Sequence, residues 1–92
     1  KSAVISLTKT LALELANRKI RANCIAPGII DTEIWGKMYG AEGKKKLIEN
    51  EKFVLLKRSG KPEEIARTAI FLCENDFVNG ETISVDGGEN IQ

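Results

Sequence analysis

The 92-residue sequence contains no histidine. Imidazole metal ligands, Ser-His-Asp triads and Cys-His dyads built within the chain are thereby excluded. Any chemistry must rest on Lys, Tyr, Ser, Thr, carboxylates or a cofactor, and no metal site is expected. Cysteine is scarce: Cys24 and Cys73 stand far apart, each in an apolar stretch and neither in a C-x-x-C pair. This predicts buried free thiols in a reducing compartment, the cytoplasm. Net charge is nearly absent, since 14 Lys+Arg against 13 Asp+Glu leave +1, and such a balance steers nothing toward nucleic acid or an anionic membrane. Long apolar runs are missing too. The longest, Phe53-Val54-Leu55-Leu56, falls far short of the ~20 residues that span a bilayer, and no charged-then-apolar leader opens the chain. A soluble segment is expected, with neither a membrane nor a nucleic-acid partner.

What is present reads as globular: 42% hydrophobic and 29% charged residues lie near the averages of folded domains. The length allows one small domain or a part of one. The chain opens on a bare lysine inside a helical pattern, without an initiator Met or an N-cap residue, as though cut within an element.

Through KSAVISLTKTLALELANRK, Val4, Leu7, Leu11 and Leu15 recur at steps of three and four, and Ile5, Ala12 and Ala16 widen the stripe. This predicts a helix with that stripe as its packing side. The opposite face carries Ser2, Ala3, Ser6, Thr10 and Leu13, small and lightly charged for a solvent-facing surface. Ile20 to Ala26 begins with strict alternation and predicts a short strand, which Pro27-Gly28 ends because proline lacks the ladder donor. The loop Gly28 to Thr32 then lies at the carboxyl end of that strand, the edge where open α/β sheets bind ligands.

From Glu33 to Lys57 the pattern weakens to two short helices in a mobile excursion. Trp35 and Tyr39 share a helical face there, as do Ile34 and Met38. Large apolar side chains on such a segment suit a lid over an apolar ligand, and equally a satellite core under a long loop. Ser59-Gly60-Lys61-Pro62-Glu63-Glu64 marks a helix start, with proline at the first helical position and carboxylates in the first turn. That helix runs through Cys73, Asn79-Gly80 turns the chain, and Thr82-Ile83-Ser84-Val85 alternates as a strand stopped by Asp86-Gly87-Gly88. The order helix, strand, lid, helix, strand contains one βαβ crossover, so the strands should be parallel. Two parallel strands leave an open edge, and further sheet is expected in another segment or chain.

The string K-S-A-V-x-x-L-T-K-x-L-A-x-E-L-A, then I-R-A-N-C-I-A-P-G-x-I-x-T, G-K-P-E-E-I-A and I-S-V-D-G-G, closely resembles the C-terminal part of short-chain dehydrogenases/reductases. The resemblance covers Lys1 to Gly88 and rests on four pieces in family order and spacing. It implies an α/β fold, residues 1–92 being the C-terminal portion of one doubly wound, Rossmann-like domain, with 33–57 as the substrate lid and the N-terminal cofactor-binding half elsewhere. It also implies NAD or NADP as cofactor and an alcohol or carbonyl small molecule as substrate. Lys1 aligns with the lysine of the family's Tyr-x-x-x-Lys pair, which binds the nicotinamide ribose and lowers the tyrosine pKa. The tyrosine would stand four residues upstream; Tyr39 matches no catalytic position. Pro27, Gly28, Ile30 and Thr32 match the loop that walls the nicotinamide, with main-chain groups at Ile30 pairing with its carboxamide and the hydroxyl of Thr32 reaching carboxamide or phosphate. The plain alternative for Pro27-Gly28 is a strand-exit turn, which does not demand a hydroxyl at Thr32. Trp35, Met38 and Tyr39 become lid residues facing substrate.

Other features are set aside. Gly36-x-x-x-Gly40-x-x-Gly43 follows no strand and has the wrong spacing for a dinucleotide fingerprint, so it is read as flexibility. Lys44-Lys45-Lys46, diluted by Glu42, Glu49 and Glu51, is read as a solvated helical face. Glu63-Glu64 belongs to the helix start and receives no acid/base role. The expectation is a segment that is inactive alone and forms part of an oligomeric enzyme, a dimer or tetramer joined through helix 1–17 and the last strand. The competing reading is a non-catalytic oligomerisation module, motivated by the small-residue face of the first helix.

Overall fold

A computed structural model describes residues 2–91; Lys1, the candidate catalytic residue, lies outside the described residues. The elements are α1 (Ser2–Leu15), β1 (Cys24–Pro27), α2 (Ile34–Tyr39), α3 (Gly43–Asn50), α4 (Pro62–Glu74) and β2 (Thr82–Val85), with 3-10 turns at Ala16–Arg18, Gly40–Glu42, Glu51–Phe53 and Glu89–Ile91. No described helix is long and apolar enough to cross a membrane. The chain divides into two compact units, residues 1–26 with 66–84 and residues 27–65 with 85–92.

β1 pairs with β2. The Cys24 N–H donates to the Glu81 carbonyl at 2.8 Å and the Gly28 N–H to the Val85 carbonyl at 3.0 Å. Both partners advance together along the chain, so the strands are parallel, as the crossover requires. The strand expected over Ile20 to Ala26 is shorter and shifted, running from Cys24 to Pro27. Residues 20–23 bond differently because side-chain amides take their ladder positions. Asn79 Oδ1 accepts the Ala22 N–H at 3.0 Å, and Asn23 Oδ1 accepts the Glu81 N–H at 3.0 Å. Arg21, expected in the strand, instead donates from its guanidinium to the carbonyls of Leu72 (2.7 Å), Val78 (3.0 Å) and Cys73 (3.1 Å), capping the last turn of α4.

The packing side of α1 also differs from the expected stripe. Thr8 and Ala12 are buried, with Ile5 and Leu15 half-buried, whereas Leu7 is 57% exposed and Val4 and Leu11 are exposed. The helix turns a small residue to a close contact: a Cβ at Gly80, in the turn before β2, would stand 3.5 Å from that of Ala12. The buried hydroxyl of Thr8 is satisfied by donating to the Val4 carbonyl at 2.7 Å. Both cysteines are free, but neither is buried: Cys24 is half-buried and Cys73 exposed. Cys73 falls on the solvent side of α4, whose inward residue is Leu72.

In the second unit the excursion forms two short helices, as expected, around a small core of Leu47 and Val54, the latter only 2% exposed. Gly87 packs onto Val54, where a Cβ would lie 2.6 Å from Cγ1. Its φ of +61° is a second reason for glycine. The start of α4 completes the reciprocal part of a capping box, since Glu64 accepts the Lys61 N–H at 2.9 Å.

Candidate functional site

Pro27 ends β1, and the chain leaves it under tight constraint. A Cβ on Gly28 would meet Asp86 Cβ at 2.6 Å, Asp86 Cα at 2.8 Å and Glu89 Oε1 at 2.9 Å. The Asp86 carboxylate is itself held by accepting the N–H groups of Gly88 (3.0 Å) and Asn90 (3.1 Å). The turn after β2 is therefore a fixed backing for the turn after β1.

Two residues on, Ile30 forms an isolated parallel bridge with Gly60. The Gly60 N–H donates to the Ile29 carbonyl at 2.8 Å and the Asp31 N–H to the Gly60 carbonyl at 2.9 Å. In a parallel bridge of this kind the N–H and carbonyl of Ile30 itself face the other way. There the Trp35 indole N–H donates to the Ile30 carbonyl at 2.9 Å, pinning α2 to the loop. Trp35 also stacks on Tyr39, with ring centroids 6.0 Å apart and planes at 22°, the pairing expected from their spacing. The Lys46 ammonium lies 5.8 Å from the Tyr39 ring centroid and 3.8 Å from the Glu49 carboxylate, so it is engaged while Lys44 and Lys45 are exposed.

Gly43 corrects the reading of the Gly36, Gly40, Gly43 series as flexibility. It is buried, and a Cβ there would stand 2.6 Å from the Trp35 carbonyl oxygen, so glycine permits close approach of α3 to α2. The far end of the excursion is fastened by Glu51, which accepts the Ser59 N–H (2.9 Å) and hydroxyl (2.8 Å). A bidentate Arg58–Glu64 pair at 2.8 and 2.9 Å follows. Hydrogen bonding to Glu64, with its charge, raises the Arg58 pKa above the ordinary guanidinium value.

These elements enclose an open cleft of about 650 Å³. Pro27, Gly28, Ile30 and Thr32 form part of its lining, and so do Trp35, Met38 and Tyr39. The seven described candidates thus share one cavity. Five lining residues were not among the expected site residues: Ile29 and Ile34, which lie within the loop and lid that the sequence marks out, and Asn50, Pro62 and Ile65, which were missed altogether. Asn50 had a usable signal, because Gly43, Leu47 and Asn50 follow i, i+4, i+7 spacing and the first two are the buried residues of α3. Among the described residues the lining carries hydroxyls and one amide but no carboxylate or ammonium, and no cluster of metal-ligating side chains occurs. Such a wall can hold a flat, mostly apolar ligand and bond its polar edge through main-chain groups.

A family model described as enoyl-(acyl carrier protein) reductase matches residues 1–90. Human dehydrogenase/reductase SDR family member 4 is 45% identical over 90 residues, covering 96% of this chain and 32% of that protein. The chain spans about a third of the length of the curated relatives it matches. A short-chain dehydrogenase family protein of Francisella tularensis aligns over 100% of this chain and 42% of its own, with TM-score 0.83 and 35% identity. A small-chain dehydrogenase solved in complex with NADPH aligns over 99% of this chain and 41% of its own, with TM-score 0.87 and 31% identity.

Proposed function

Because this chain belongs to the short-chain dehydrogenase/reductase family, we propose that the whole protein interconverts an alcohol and a carbonyl compound with NAD or NADP. The supporting observation is one cleft whose lining brings Pro27, Gly28, Ile30 and Thr32 of the strand-exit loop together with the stacked Trp35 and Tyr39. The fit to a nicotinamide is chemical: the Ile30 N–H points away from its bridge partner, the Thr32 hydroxyl joins the same lining, and the rest is carbon-rich. Pro27, Gly28, Ile30 and Thr32 would hold the nicotinamide edge, and Trp35, Met38 and Tyr39 on the 33–57 lid would contact substrate. The relative solved with NADPH supports a cofactor of this class.

When bound, the nicotinamide gives or takes the hydride. Proton exchange falls to groups other than the described lining, which offers only the stacked phenol of Tyr39 as a titratable group. We assign it to a tyrosine four positions before Lys1, with Lys1 binding the ribose hydroxyls and lowering that phenol's pKa. Residues 1–92 would form the C-terminal portion of one Rossmann-like domain whose remaining strands cover the open sheet edge. The protein would act in the cytoplasm, as its two free thiols suggest, and as a homo-oligomer joined through α1 and β2.

The test uses the full-length protein. Turnover of ketones with NADPH or NADH is expected, and Lys1→Ala should lower kcat/KM by about a hundredfold or more. The isolated 92-residue chain should show no saturable cofactor binding. A tight, specific complex with it, or full-length protein inert with both cofactors, overturns the reading.

A further inference from the structure

Asn50 is the one amide in a cleft whose described lining is otherwise mostly hydrocarbon, with hydroxyls at Thr32 and Tyr39. It closes α3, and its Nδ2 donates to the Lys46 carbonyl at 2.8 Å. A carbonyl only accepts, so this bond fixes which end of the amide is nitrogen and turns Oδ1 away from the helix backbone. No further hydrogen bond of the Asn50 side chain occurs among the described residues. The Trp35 N–H of the same lining is already engaged with the Ile30 carbonyl. Asn50 is half-buried, and its oriented amide oxygen has no protein partner and stays open to solvent; on a carbon-rich wall it is the kind of isolated polar group that sets ligand orientation.

We infer that Asn50 determines specificity by accepting a hydrogen bond from a hydroxyl or amide N–H that the substrate carries away from its reacting carbon. The inference rests on the proposed alcohol–carbonyl activity. It narrows the substrate class to largely apolar carbonyl compounds bearing one such remote donor. A ligand without the donor leaves Oδ1 desolvated and unpaired, which is where discrimination arises.

Matched ketones test this on the full-length protein: cyclohexanone against the same ring with one hydroxyl opposite the carbonyl, and a linear methyl ketone against its terminal-hydroxyl analogue. The readout is the ratio of kcat/KM within each pair. The wild type should favour the hydroxylated member by about tenfold. Asn50→Leu should abolish that preference, with Asn50→Ala as its substitute should the leucine variant fail to fold. Asn50→Asp keeps an acceptor oxygen but loses the donor to Lys46, and should retain the preference. No preference in the wild type, preference surviving in Asn50→Leu, or equal loss in the leucine and aspartate variants overturns the inference. The last result would mean that Asn50 acts only through the end of α3. No turnover of any ketone with either cofactor would instead overturn the activity on which the inference rests.

Discussion

A single methyl group added at Gly28 would lie 2.8 Å from Asp86 Cα, a backbone atom that no rotamer change can move aside. Gly28→Ala should therefore destabilise the protein by about 1–3 kcal/mol in chemical denaturation. It should also raise the cofactor KM, because the displaced turn carries Ile30. Lys19 gives the opposite case. Its φ of 58° after the turn ending α1 is the left-handed region that disfavours a Cβ, so Lys19→Gly should stabilise by a few tenths to about 1 kcal/mol in the same measurement. At this scale the sequence was partly legible. Pro27, Gly28, Ile30 and Thr32 stand out by motif, but the reason for Gly28 lies nearly sixty residues away, at Asp86. Gly43 was misread because its contact with the Trp35 carbonyl is tertiary, and local spacing carries no trace of it.

Among the elements, α2 is held by one indole hydrogen bond and α4 begins on one carboxylate. Trp35→Phe keeps the ring but removes the donor to Ile30, and should cost about 1 kcal/mol of stability, read by thermal unfolding. Glu64→Ala removes the cap on Lys61, which should cost about 1 kcal/mol, and with it the exposed pair with Arg58, which adds little. The guanidinium pKa is raised on folding, so the pair's contribution is fully present below the ordinary arginine value and fades only as pH climbs past it. Stability lost in Glu64→Ala should accordingly be flat from neutral to moderately alkaline pH. Helix existence was readable from periodicity and from Pro62-Glu63-Glu64. The limits of β1 were not, because Asn23, Asn79 and Arg21 give residues 20–23 partners that alternation does not reveal.

For the whole molecule, the exposed apolar residues of α1 are one unspent surface: Leu13 is 82% exposed, beside Val4, Leu7 and Leu11. The helix was legible, but its inward side was not. Which side is covered depends on the partners available, and here only the narrow strip around Thr8 and Ala12 is buried. If α1 joins subunits as proposed, Ser6→Arg should shift full-length protein to a smaller species in analytical ultracentrifugation. An unchanged sedimentation profile would exclude that face from the interface. The bridge between Ile30 and Gly60 has a different consequence. It brings the departure and return points of residues 31–59 side by side, so the length and composition of that segment can change while the backbone on either side stays where it is. The segment is thus an exchangeable cassette: if it covers substrate as proposed, transplanting it between homologues at these two residues should carry substrate preference with it, Thr32 travelling with the segment while Pro27, Gly28 and Ile30 stay in place.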